Sequence, residues 1–152
     1  MLDLLIVLVV LTNLRLLATG RIESLISWTG IQGMLLGIFA LLSRWSHIAP
    51  DVMMVGITAF ALKGLVFPAM LYRLVKAVHS KREAEPYVGF IASTIIGLLA
   101  FVAALWLGSR LPLPGTDMSK LVLPATLFSI FSGLFLIISR RNAISQVIGF
   151  LV

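Results

Sequence analysis

Cysteine is absent from the 152 residues. No disulfide framework, thiolate metal site or cysteine-ligated iron–sulfur cluster can therefore belong to this chain. Charge is scarce as well: 12% of residues are Asp, Glu, Lys or Arg, against about a quarter in soluble domains. Acid is the scarcer sign, with six acidic residues against 12 basic ones. Asp3, Glu23, Asp51, Glu83, Glu85 and Asp117 all fall near the ends of apolar runs or between them. A basic leader is missing too. Met1-Leu2-Asp3 opens on an acid, so the first apolar run is expected to be a retained helix rather than a cleaved signal. Gly-rich phosphate loops, low-complexity tracts and internal repeats are not found.

What is there is apolar. Sixty per cent of the residues are hydrophobic and the mean hydropathy is +1.10. A soluble fold of that composition would lack a polar skin, whereas a bilayer tolerates it. Strand-like alternation is absent, which argues against a membrane β-barrel. The expected fold is all-α: a single integral membrane domain over residues 1–152, built as a polytopic transmembrane helix bundle. Five spans are expected, at roughly Leu4–Leu17, Leu25–Leu42, Val52–Tyr72, Tyr87–Leu107 and Leu121–Ile138. The third run is about 31 Å long as a helix, enough to cross the hydrocarbon. A sixth run, Ala143–Val152, is only about 15 Å long and has no polar flank, so the chain is expected to be a fragment cut in mid-helix. Asp51 after Pro50 is a plausible N-cap, and Pro112, Pro114 and Gly115 form a turn that no helix continues through.

The net charge is +6, and the basic residues sit between the runs. No basic stripe or recognisable module accompanies them, so nucleic acid is not an expected partner. One set of connections holds Arg15, Arg21, Arg73, Lys76, Lys81, Arg82, Arg140 and Arg141; the opposite set holds Arg44, Arg110 and Lys120. Lys and Arg concentrate in cytoplasmic loops. The richer set, with the Arg140-Arg141 turn, is therefore expected inside the cell and the N-terminus outside.

Lys63 is the exception, because it lies inside the third run. A Lys at mid-membrane costs on the order of 3 kcal/mol on insertion scales. At that depth it must face the bundle interior or a wet cavity. Pro68, five residues on, lacks an N–H and frees the carbonyl of Gly64. A break or kink at Gly64–Pro68 is expected, as at ion sites of transporters. Two readings of Lys63 stand side by side: a proton relay, or an ammonium paired with a carboxylate supplied by another subunit or by a segment beyond Val152. Gln32, deep in the second run, can order a water chain or bridge helices, and bridging is the plainer reading. Gly33 and Gly37 have the spacing that lets another helix approach closely. Ser93, Thr94, Ser129 and Ser132 can bond back to their own helix carbonyls. His47 and His79 fall in loops on opposite sides, so no metal site is expected. No Ser/His/Asp set shares one depth, and catalysis by this chain alone is not expected. The charge run Lys81–Glu85 reads as a solvated loop, with docking to a cytoplasmic subunit as the alternative.

Two stretches carry a family resemblance. One is Lys63-Gly64-Leu65-Val66-Phe67-Pro68, a K-x-L-x-x-P pattern in the third run. The other is Gly133-Leu134-Phe135-Leu136-Ile137-Ile138-Ser139-Arg140-Arg141-Asn142, followed by Gln146-Val147-Ile148-Gly149-Phe150. With Gln32 and the order of the runs, they resemble the membrane component E of hydrogenase-4 and formate hydrogenlyase complexes. The C-terminal half is similar to the small K subunit of respiratory complex I and the C subunit of Mrp-type antiporters. That resemblance implies a membrane subunit of a group 4 nickel–iron hydrogenase-like complex in the cell (inner) membrane. Its partners would be antiporter-like membrane subunits, a membrane anchor subunit and soluble hydrogenase-like subunits. The nickel–iron centre and iron–sulfur clusters would lie in those partners, with no cofactor or metal on this chain. The family carries a Glu-Asn-Gly stretch further along its sixth helix; this sequence ends at Val152, before it.

The residues expected to matter are thus Lys63 and Gln32 on an ion path and Gly64 and Pro68 at a helix break. Arg140, Arg141, Asn142 and Gln146 are expected to meet lipid headgroups or a cytoplasmic subunit. The rival expectations are a purely structural scaffold linking antiporter-like subunits and, further off, an independent small transporter.

Overall fold

The computed structural model describes residues 2–43, 50–78, 88–111 and 120–152. His47, His79, the run Lys81–Glu85, the Pro112–Gly115 turn and the side chain of Asp51 lie outside the described residues. Every regular element among the described residues is a helix: α1 (Leu2–Ala18), α2 (Ile22–Ser43), α3 (Pro50–Ala61), a π-helical segment (Leu62–Val66), α4 (Phe67–Val78), α5 (Phe90–Arg110), α6 (Val122–Ser139) and α7 (Ala143–Leu151).

Local chemistry explains several helix ends. Asp3 and Glu23 stand in the first turns of α1 and α2, where a negative charge meets the positive end of the helix dipole. Arg15, Lys76 and Arg110 stand in last turns, where the dipole favours cations. Pro50 opens α3 and Pro124 sits in the first turn of α6, where a missing N–H costs nothing. Arg140 ends α6 by turning extended, at φ −112° and ψ 137°.

Among the described residues, four segments are long and apolar enough to cross a membrane: Ile22–Leu42, Met53–Ala77, Phe90–Arg110 and Val122–Ser139. The molecule is a helical membrane protein with several apolar helices, as its composition implies. The expected first span, α1, has 17 residues, about 25 Å of helix, and falls just short of those four. The π segment joins α3 and α4 into one span.

α1 packs on α2, α5 and α6, while α7 packs on α6 and α2. The core lies among these helices, around Ile6, Val10, Leu16, Leu17, Leu25, Phe128, Leu136 and Ile148. Phe101 of α5 meets Phe128 of α6 edge to face at 5.2 Å. Two spans flank this core. α5 lies against α1 and α6, whereas the α3–α4 span rests chiefly on α2.

The α2 face that receives α3 and the π segment is built from glycine. A Cβ at Gly33 would lie 2.7 Å from the carbonyl carbon of Lys63, and one at Gly37 would lie 2.7 Å from Cβ of Phe60. Gly33 and Gly37 therefore form the close helix contact their spacing suggested. Gly30 extends the face toward the ring of Pro68.

Candidate functional site

Lys63 lies ten residues into the Met53–Ala77 span, about 15 Å along a helix. Its stem crosses Gly33, where a Cβ would sit 2.9 Å from the Lys63 Cγ. The ammonium then donates to the main-chain oxygen of Val152 at 3.2 Å. Gln32 approaches the same oxygen, its Nε2 donating at 3.5 Å. Gln32 Nε2 also donates to Asn13 Oδ1 at 2.9 Å, and Asn13 Nδ2 donates to Ser129 Oγ at 2.7 Å. Residues of α1, α2, α6, the π segment and the end of α7 thus form one polar cluster inside an apolar bundle.

Burial is uneven across it. Asn13 and Gln32 are 0% exposed, whereas Lys63 and Ser129 are half-buried. The carbonyl oxygen of Gln32 is buried without a partner. Such an atom marks a place for a donor, either an ordered water or a shifted ammonium. Neither amide titrates, so Lys63 is the group in this cluster that can carry a proton.

The expected pair, Lys63 and Gln32, therefore converges. Asn13 and Ser129 join them, although the sequence did not single them out. Asn13 was legible as a polar residue in an apolar run. Its partner was not, since Ser129 was equally able to bond within its own helix. Ser132 does so, donating to Ser129 O at 3.0 Å, and Thr94 donates to Phe90 O at 2.8 Å.

Gly64 and Pro68 do not break the helix. The backbone widens to a π turn instead, with the N–H of Phe67 donating to Leu62 O, five residues back. The wider turn accommodates a proline that can neither donate to, nor sit close over, the carbonyl four residues before it. Such π segments recur at functional sites.

Arg140 lies in the interior rather than among headgroups. It is 1% exposed. Its Nη2 donates to Leu17 O at 3.2 Å and Thr19 O at 3.0 Å, and its guanidinium sits 5.0 Å from the Phe90 ring centroid. Burial pulls its pKa below the ordinary arginine value, yet a guanidinium stays charged in proteins. Gln146 Nε2 donates to Arg140 O at 3.2 Å, tightening the turn from α6 into α7. Asn142 is half-buried and Arg141 is exposed.

A cavity of about 250 Å³ abuts Ser129 and Val152 but is otherwise lined largely by apolar side chains such as Leu5, Ile6, Val9, Leu36 and Phe39. That lining gives water few partners.

Fold and site together define a helical membrane protein with a polar, lysine-containing cluster buried between its helices. The chain is similar to Uncharacterized protein Rv0085 of Mycobacterium tuberculosis (strain ATCC 25618 / H37Rv): 32% identical over 134 residues, which cover 86% of this chain and 59% of the relative. The chain thus spans about three fifths of the length of the curated relative it matches. No family model matches, and no solved structure matches.

Proposed function

We propose that the protein is a membrane-arm subunit of a complex related to group 4 nickel–iron hydrogenases, and that it contributes to proton or sodium movement coupled to redox chemistry. One observation carries the reading. Lys63, half-buried at mid-span, lays its stem over Gly33 of α2, next to the buried Gln32, which is linked through Asn13 to Ser129. The family resemblance supplies the redox context. In this reading Lys63 exchanges protons with water and a neighbouring carboxylate, and Gln32 and Asn13 orient the waters that reach it. The chain is itself non-catalytic. The nickel–iron centre and clusters belong to soluble partner subunits, alongside antiporter-like subunits and a membrane anchor. The protein sits in the cell membrane with its N-terminus outside and its Arg140-Arg141 turn in the cytoplasm.

The test is Lys63→Met in the intact complex, assayed in inverted membrane vesicles. The expected result is redox turnover within about twofold of the parent, with ion uptake at least tenfold lower. Unchanged uptake overturns the relay. It would favour the second reading, a scaffold subunit.

A further inference from the structure

Two glycines fix the course of α5. Gly97 leaves no room for a Cβ against the Leu17 side chain of α1, and Gly108 leaves none against the Pro124 ring of α6. α5 therefore meets α1 toward one end of its length and α6 toward the other. Between those contacts lies a groove of about 280 Å³, walled by α1, α5 and α6 and lined by apolar side chains throughout. Val7, Leu11, Leu98, Leu105 and Leu121 on its rim are exposed, so it opens to the surroundings of the bundle. α1 runs beside it from Ile6 to Leu14, about 12 Å of helix, close to half the hydrocarbon thickness of about 30 Å. Spread over that length, 280 Å³ gives a cross-section of about 23 Å², against about 80 Å² for a helix about 10 Å across. One polymethylene chain fits that width; a packed helix does not.

One end of the groove carries charge. Arg110 follows the lining residue Leu105 by five residues, and Lys120 directly precedes the lining residue Leu121. Both cations are exposed. The Arg110 guanidinium lies 5.4 Å from the ring centroid of the exposed Trp106, and a tryptophan at the end of a span marks the headgroup level. Asp3, at the start of α1, is the acid that α1, α5 and α6 bring to this end among the described residues; Asp117 lies outside them. Two cations against one acid leave the mouth basic, and Arg and Lys donors suit a phosphate. We propose that the groove holds one phospholipid, with an acyl chain between α1 and α5 and the phosphate held by Arg110 and Lys120. The site shares no residue with the Lys63 cluster and stands whether or not ions move through it.

Native mass spectrometry of the full-length protein, purified from its own membranes in a mild detergent, tests it. At least half of the parent chains carry one phospholipid through detergent washing. Leu98→Trp fills the groove from α5 and lowers that fraction at least fivefold. Leu11→Trp fills it from α1, and serves where the first variant fails to fold. Arg110→Gln combined with Lys120→Gln changes exposed side chains alone and lowers the fraction at least threefold. Ile138→Trp, exposed on α6 outside the groove, leaves it at the parental level. Variants are scored only where the purified chain keeps its parental gel-filtration position and helical circular dichroism. A benzophenone side chain at Leu11, irradiated in native membranes, gives a phospholipid adduct. A parent chain that carries no lipid overturns the inference. So does a lipid fraction that the groove-filling and charge variants leave unchanged, or one that Ile138→Trp lowers as much as they do. A protein adduct at Leu11 overturns it as well, since a polypeptide segment would then cover the groove.

Discussion

Among the described residues two cations lie inside this bundle, and they are held in opposite ways. Arg140 is enclosed, its Nη2 donating to two main-chain carbonyls of the α1–α2 turn, with an aromatic ring beside it. Lys63 is half-buried and reaches one main-chain oxygen across a glycine. Guanidinium geometry suits the first task, since its planar end can donate to two carbonyls while its face lies beside an aromatic ring. An ammonium on a flexible stem suits the second, since it can change partners. The contrast assigns Arg140 to holding the fold and leaves Lys63 free to act. Graded substitutions should reproduce that ranking.

Arg140→Ala should have the largest effect on stability. It removes two charge-assisted bonds and the tie between the α6–α7 and α1–α2 turns, at a cost of about 3 kcal/mol. Unfolding in mixed micelles titrated with sodium dodecyl sulfate measures it. Arg140→Lys should recover less than half, because the shorter side chain has no planar guanidinium to lie beside Phe90 while it reaches Leu17 O and Thr19 O. Full recovery by Lys would mean that charge alone, not geometry, holds this corner.

Gly33→Ala should come next, at about 2 kcal/mol, an overpacking cost. The new methyl would press on the backbone and stem of Lys63 at 2.7–2.9 Å and push the π segment off α2. The same unfolding assay reads the stability. Loss of ion uptake alongside it would show that the glycine face also aims the lysine.

Asn13→Leu follows, at about 1 kcal/mol. Hydrogen bonds between membrane helices are modest, averaging about 0.6 kcal/mol, and the change leaves Gln32 Nε2 and Ser129 Oγ short of a partner. A cost as large as that of Arg140→Ala would make the amide cluster a structural keystone and erase the distinction between the two regions.

The sequence revealed the helices far better than it revealed their pairings. Apolar runs gave the spans, because burial in a bilayer requires long uninterrupted hydrophobic stretches. Lys63 and Gln32 stood out because polar groups at that depth are expensive. Gly33 and Gly37 stood out because only close helix contact uses such spacing. The remainder depended on partners far apart in the chain. Asn13 meets Ser129 across 116 residues, and nothing in either helix alone selects that pair. Arg140 looked like a headgroup ligand because it ends an apolar run beside another arginine. Its inward turn is set by free carbonyls at the end of α1, 123 residues earlier. At Gly64 and Pro68 composition indicated disrupted helix bonding, but a break and a wider turn share that signature.

Lys63→Met should change stability least, by under about 0.5 kcal/mol in the detergent-solubilised chain. Two terms oppose each other: the methionine loses a bond to Val152 O, and it no longer keeps part of an ammonium out of water. In a micelle the half-exposed stem reaches solvent, so neither term is large. Unfolding midpoints of parent and variant, measured side by side, test this directly. A cost near that of Arg140→Ala would mean that the amine is a structural clamp, and its exposure would then need another explanation. A near-null result paired with loss of ion uptake in the complex is the combination that only a mobile, functional ammonium produces.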